Sequence, residues 1–431
     1  MADNLFKRQE MKKVLMILII GILMFANFAI AEEAIPLSLE EAVAIALRDN
    51  RDILLSTESA RKAKLKISEA RASLFPSLTF TSNLTSTNGL YSDTSNQTAN
   101  QATLKQYLYK GGKTINTIKY NQYNFEVSQA LLDKTKLDTI FDVIKTFYTL
   151  LLAEDFAKIN QQILENTKEH LSVIEARFQN GQASESDILA IKESLANIEQ
   201  VYEASQNAVE TAEVLLKNLL YLDNETKVQC QGQFAYEPRE VAIEDALLTA
   251  MKIRPEIRQY EAQEKASKAA VEMAKADNRP SIYASWDYYS RSHAAGTNNK
   301  SWNDYNIIGL TVSWPIFDGW ATKSKVEQAI VDLRQTQLTK EKIIKDIALE
   351  IKTAYIDLKD SISKIRATES EFAVYQDNLS VIEEKYESGI ASSLDLDDAS
   401  LKYSLTEFNK KQAIYDYIIA RETLDKAKGE I

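Results

Sequence analysis

The 431-residue chain holds one cysteine (Cys230), two histidines (His170 and His293), six prolines and 11 glycines. A lone cysteine excludes a disulfide framework, and two histidines leave too few soft ligands for a structural zinc site. Cys230 reads as an inert small side chain. Average usage would place roughly 30 glycines and 20 prolines in a chain this long. That shortage of chain breakers speaks against a loop-rich α/β enzyme and a many-stranded sandwich. Acidic residues are plentiful, but with 26% of residues charged their pairs read as solvated helix faces joined at i,i+4, not as a catalytic dyad. No catalytic residue, cofactor or metal is expected. A net charge of −11 argues against nucleic acid as a partner.

What is present points to export. Apolar residues make up 45% of the chain, enough for a sizeable core. Lys12 and Lys13 precede an apolar run from Val14 to Phe25, followed by Ala29-Ile30-Ala31 and then Glu32-Glu33. These are the parts of a secretory signal peptide, expected over residues 1–31 and starting at Met1 or Met11. Extended to Ala31 the run approaches the length of a membrane span, so an uncleaved anchor is the competing reading. Cleavage would leave 47 basic and 60 acidic residues, a net charge of −13. No cysteine stands near the site, which argues against lipoprotein processing.

The halves of the chain repeat each other. Leu39-Glu40-Glu41-Ala42 lines up with Ile243-Glu244-Asp245-Ala246, and Pro76-Ser77 with Pro280-Ser281, both at a separation of 204 residues. Tyr109-Lys110-Gly111 matches Phe317-Asp318-Gly319, and Gly181 with Asp187 matches Gly389 with Asp395, all at 208. The expected organisation is a first repeat over 32–221, a linker over 222–240 and a second repeat over 241–431. Residues 113–179 and 320–388 contain neither Gly nor Pro. Each would extend roughly 100 Å as unbroken helix. Leu137, Ile140, Ile144, Phe147 and Leu151 step by 3 and 4, as do Ile344, Ile347, Ile351, Ala354 and Leu358, and again Phe372, Tyr375, Leu379, Ile382 and Tyr386. This is a coiled-coil-like seam with charged residues on the other faces.

Between the helices lie segments of period two. Leu78, Phe80 and Leu84 alternate with Ser77, Thr79, Thr81 and Asn83. Ile282, Ala284, Trp286 and Tyr288 alternate with Ser281, Tyr283, Ser285 and Asp287, while Ile308, Leu310, Val312, Trp314 and Ile316 line one face of 307–317. Strands are expected at about 77–86, 99–109, 281–290 and 305–317, the pattern at 103–109 being weaker because Gln106 interrupts it. Runs of about ten residues fit a tilted transmembrane β-strand. The even-numbered residues would then face lipid and the odd-numbered ones a wet lumen. Tyr107, Tyr109, Trp314, Phe317 and Trp320 would form an interfacial girdle. A soluble sheet with one face packed on helices alternates identically and stays open as an alternative. Four strands cannot close a barrel, so a membrane role requires several chains to pool them.

The order of these features, with the aromatic-x-Gly turns Tyr109-Lys110-Gly111 and Phe317-Asp318-Gly319, resembles the TolC-type outer-membrane efflux proteins. So do Arg177-Phe178-Gln179-Asn180-Gly181 followed by Asp187, and Lys385-Tyr386-Glu387-Ser388-Gly389 followed by Asp395. The resemblance covers about 37–428. It implies a mainly α fold with a small β part: long coiled-coil-like helices forming a periplasmic tunnel, and four strands per chain joining the twelve-stranded β-barrel of a homotrimer. The implied role is the exit duct of a tripartite efflux or type I secretion system, embedded in outer-membrane lipid. Its implied partners are a periplasmic adaptor and an inner-membrane pump. Gly111 and Gly319 become strand-to-helix turns, and Gly181 and Gly389 the turns at the periplasmic tip.

Ser184-x-x-Asp187 and Ser392-x-x-Asp395 read as capping boxes that open the following helices. The resemblance gives the aspartates a second role. It implies a pore gate of Asp395 and Asp398, with Asp397 as an additional charge, and a tip latch of Tyr386 and Asp187. The latch arginine of the family has no counterpart, since Ala391 occupies its position. The alternative from another class is a periplasmic coiled-coil adaptor or structural rod, in which the strands belong to a soluble domain.

Overall fold

A computed structural model describes residues 35–87, 95–223, 225–239, 241–295 and 301–430. The expected signal peptide and the apices of both strand hairpins lie outside the described residues. The first copy runs β1 (Ile35–Leu37), α1 (Leu39–Asp49), α2 (Arg51–Ala72), β2 (Ser77–Thr87), β3 (Ser95–Lys110), α3 (Lys113–Gln179) and α4 (Glu185–Leu220). After β4 (Val228–Cys230), the second runs α5 (Ile243–Ile253), α6 (Pro255–Ala276), β5 (Ser281–Ala295), β6 (Ser301–Ser313), α7 (Ala321–Glu387) and α8 (Ser393–Lys428). Corresponding helices have the same lengths in the two copies: 11, 22, 67 and 36 residues. The duplication is thus visible element by element.

Two compact units cut across the copies. Among the described residues, one gathers 35–50 with Asp142–Ala235 and Arg366–Tyr415; the other holds Arg51–Phe141, Tyr236–Ile365 and 416–430. The first unit centres on Leu37, Ala42, Ala46, Val143, Phe147, Leu150, Ala212, Leu216 and Leu220, with Val228 and Cys230. Parallel pairing of β1 with β4 ties the start of α1 to the linker. Ser38 opens α1 through a reciprocal capping box: Glu41 N–H donates to Ser38 Oγ at 3.2 Å, and Ser38 N–H to Glu41 Oε2 at 2.9 Å. Burial pushes the Cys230 thiol up to about 12, with Glu154 and Glu213 adding to the effect. It stays a protonated, unreactive packing residue.

In the second unit the seam of α7 buries Ile347, Ile351, Ala354, Leu358, Ser361 and Ile365, steps of 4 and 3 that keep one face inward. Tyr417, Ile418 and Leu424 of α8 are buried as well. Arg254, at the start of α6, is buried with its guanidinium fully engaged. It donates to Glu256 at 3.0 Å, to Glu350 at 2.9 Å and to the Ala427 carbonyl at 2.8 Å.

The strands extend beyond the expected boundaries on the hairpin side. β3 begins at Ser95, β5 reaches Ala295 and β6 begins at Ser301. Those additions are mostly polar, with Ala294, Ala295 and Trp302 among them, and show no sustained alternation from which a strand could be read. At the other end β6 stops at Ser313 and not at 317. Pro315 follows, and proline has no N–H for the ladder.

Candidate functional site

The strands form one antiparallel sheet in the order β2-β3-β5-β6. Its register places Leu78, Leu104, Trp286 and Ile308 in a single row across all four strands, on the even face. The neighbouring row, Thr79, Thr103, Asp287 and Ile307, faces the other way. The even face carries large apolar side chains in the open: Leu78 is 70% exposed, Phe80 70%, Ile308 83% and Leu310 67%. A soluble sheet of the alternative kind would pack that face on helices, and among the described residues no helix covers it. The opposite face is knitted by polar contacts. Asp287 accepts from Thr103 Oγ1 at 2.6 Å, from Gln101 Nε2 at 3.1 Å and from Ser285 Oγ at 3.2 Å.

The odd-even rule fails at one point. A bulge between Tyr107 and Tyr109 shifts the register, so that Tyr107 pairs with Tyr283, Tyr109 with Ile282 and Lys110 with Ser281. Tyr109 therefore joins the apolar face and Lys110 turns to the polar one, the reverse of what residue parity assigns. Of the expected girdle, Tyr109, Trp314, Phe317 and Trp320 are exposed. Tyr107 instead packs at a tilt against Tyr283, ring centroids 5.5 Å apart, on the polar side.

The turns where strands pass into helices differ between copies. Gly111 has φ +61°, and a Cβ there would lie 2.7 Å from the Ala276 carbonyl oxygen. Gly319 has φ +65° with open space around it. Beside it Asp318 caps α7, accepting from Thr322 N–H at 2.8 Å and from its hydroxyl at 2.5 Å.

At the helix breaks both glycines adopt the left-handed conformation, φ +70° at Gly181 and +71° at Gly389. Gln182 N–H reaches the Arg177 carbonyl at 2.8 Å and Gly181 N–H that of Phe178 at 2.9 Å. Ile390 and Gly389 repeat the pattern to Lys385 and Tyr386, at 2.8 and 3.0 Å. These are Schellman motifs, which satisfy the terminal carbonyls of α3 and α7.

The aspartates after the turns divide by partner. Asp187 accepts from Ser184 N–H at 2.8 Å and Oγ at 2.7 Å. Asp395 accepts from Ser392 N–H at 2.9 Å and Oγ at 2.7 Å. Both capping boxes close, and their hydrogen bonds hold each carboxyl below the usual range. Asp397 is half-buried against His170 Nδ1 of α3. Burial holds that imidazole below its ordinary range, with Arg177 adding to the effect. The pair borders a cavity of about 130 Å³ lined by α3, α4 and α8, including Ile163, Ile191 and Leu401. Asp398 lies at its exposed rim, with no ion pair or side-chain hydrogen bond among the described residues. Tyr386 is half-buried, and no hydrogen bond joins it to Asp187 among the described residues. Sequence reasoning overlooked His170, because nothing local marks a partner on a distant helix.

A model of the family described as "Outer membrane efflux protein" matches residues 42–220 and 247–430. The chain belongs to that family. Its place is therefore the outer membrane, with the long helices on the periplasmic side, and its broad role is that of an exit duct in efflux. It is 24% identical to the outer membrane protein TolC of Escherichia coli over 98% of this chain and 87% of that one. The outer membrane channel CmeC of Campylobacter jejuni superposes with a TM-score of 0.78 at 19% identity, over 91% of this chain and 85% of that one. The open state of the Neisseria gonorrhoeae channel MtrE gives 0.75 at 17% identity, over 91% and 88%.

Proposed function

We propose that three copies of this chain assemble into a duct whose twelve strands close a barrel in the outer membrane. The duct passes substrates delivered through a periplasmic adaptor from an inner-membrane pump. The observation that carries this reading is the sheet itself. Among the described residues it has a bare apolar face, a hydrogen-bonded polar face and two free edges, β2 and β6. Open edges are not tolerated in lipid, and pairing β6 of one copy with β2 of the next removes them. Barrel diameter grows with strand number, and since about eight strands enclose an interior that side chains can fill, twelve enclose a wider one.

In the same reading the tip is gated by acidic residues. Asp398 is the carboxylate available to a ring, Asp395 joins it while capping α8, and Asp397 braces α8 against His170. Tyr386 and Asp187 latch the two turns when the tip closes. Light scattering in mild detergent tests the assembly and should give three copies per particle, with conductance when the particles enter a planar bilayer. A monodisperse monomer that retains its strands would overturn the duct; so would a trimer without conductance.

A further inference from the structure

The polar face of the sheet carries an unbalanced charge. Among the described strand residues it presents Lys105, Lys110 and Arg291 against a single carboxylate, Asp287, in a chain whose net charge is −11. Asp287 is already engaged by three hydrogen-bond donors. Neither lysine forms an ion pair among the described residues. Instead both ammonium groups converge on aromatic rings. Lys105 Nζ lies 3.9 Å from the Tyr283 centroid and 4.9 Å from that of Tyr107, and Lys110 Nζ lies 3.8 Å from Tyr107. The bulge after Tyr107 is what turns Lys110 to this side. Two cations drawn to one ring repel each other, and an anion between them relieves that repulsion.

We propose that Lys105, Lys110, Tyr107 and Tyr283 form an anion-attracting belt on the lumenal wall of the barrel. The proposal rests on the trimeric duct above. Three copies bring six ammonium groups around one bore, where low-dielectric walls focus their field. The ligand class is an anion, inorganic or organic; the tyrosine rings add a stacking surface for organic anions with a flat ring. The belt gives the bore a sign opposite to that of the acidic tip.

Ser77 lies opposite Lys105 in the ladder, on the polar face and exposed, and serves as a reporter position. The Ser77→Cys protein is labelled with an anionic and a cationic methanethiosulfonate, each rate normalised to that of a free thiol. Cys230 is buried and its thiol is suppressed, so it does not compete. The anionic reagent should react faster than the cationic one. Adding Lys105→Gln and Lys110→Gln should lower that ratio about fivefold, and Lys105→Arg with Lys110→Arg should preserve it. If the double Gln variant fails to assemble, Lys110→Gln alone should lower the ratio about twofold. Light scattering is run on the same preparations. A trimer with equal rates and a ratio indifferent to the lysines overturns the belt and leaves the duct standing. A monomer overturns the duct and the belt with it.

Discussion

Glu154 illustrates how a single buried group couples this fold to pH. Burial first, then the nearby charges of Asp155 and Glu213, push its carboxyl up to about 6 from an ordinary 4.5. Between those values the unfolded chain has lost the proton and the folded one still holds it. Stability contributed by this group therefore falls as pH rises from 4.5 to about 6, and stays lower above. Glu154→Gln should gain about 1 kcal/mol at pH 7.5, roughly half the full linkage value because the side chain is half exposed. At pH 4 the two proteins should melt alike by circular dichroism; an equal gain at both pH values would trace the effect to packing. Gly111 poses a steric question. With its φ positive and Ala276 O 2.7 Å from a would-be Cβ, Gly111→Ala should cost about 2–3 kcal/mol, whereas Gly319→Ala should cost about 1 kcal/mol. Thermal melts of the two variants compare them directly, and equal losses would mean that the contact with Ala276 relaxes.

At the scale of elements, the sheet assigns each strand residue to one of two environments. Trp286 and Val312 stand on the bare apolar face, and Thr79 and Ser313 on the polar one. Arginine at Trp286 or Val312 should cost roughly 2–4 kcal/mol near mid-membrane. Arginine at Thr79 or Ser313 should be tolerated, as judged by the yield of assembled protein in outer-membrane fractions. Equal defects at both pairs would show the faces to be wrongly assigned. The helices offer a matching contrast at α8. Asp395 closes a capping box and Asp398 does not. Asp395→Asn should cost about 0.5–1 kcal/mol of stability, while Asp398→Asn should leave the melting temperature unchanged.

For the whole molecule, the same two aspartates make a different prediction. In the proposed trimer they would bring six carboxylates into one constriction, which would attract cations and be plugged by multivalent ones. Planar-bilayer recordings with a trivalent cation on the periplasmic side should show block of the wild-type duct. The Asp395→Asn/Asp398→Asn protein should resist it. Undiminished block and unchanged ion selectivity in that variant would reduce both residues to helix-start roles. Asp397 adds little to such a ring while it is held by His170. His170→Ala should therefore strengthen the block by releasing that carboxylate.

Much of this architecture was legible because it is periodic. Steps of 3 and 4 mark the seams of α3 and α7, period-two alternation marks the centres of the strands, and two glycines after long unbroken runs mark the turns that end α3 and α7. Each signal is local: a side chain's place on a helix or strand follows from its own neighbours in sequence. The duplication was equally plain, since it needs only the chain compared with itself. Tertiary structure alone decided the rest. The bulge at Tyr107 exchanged the faces of Tyr109 and Lys110, which parity cannot reveal because one extra residue inverts every later assignment. The mostly polar ends of β3, β5 and β6 are strands because ladder hydrogen bonds hold them, with no sustained apolar alternation to announce it. Asp397 found His170, and Arg254 found Glu350 and the end of α8, across long stretches of chain. Such partners are set by which helices pack together, and a one-dimensional pattern does not contain that information.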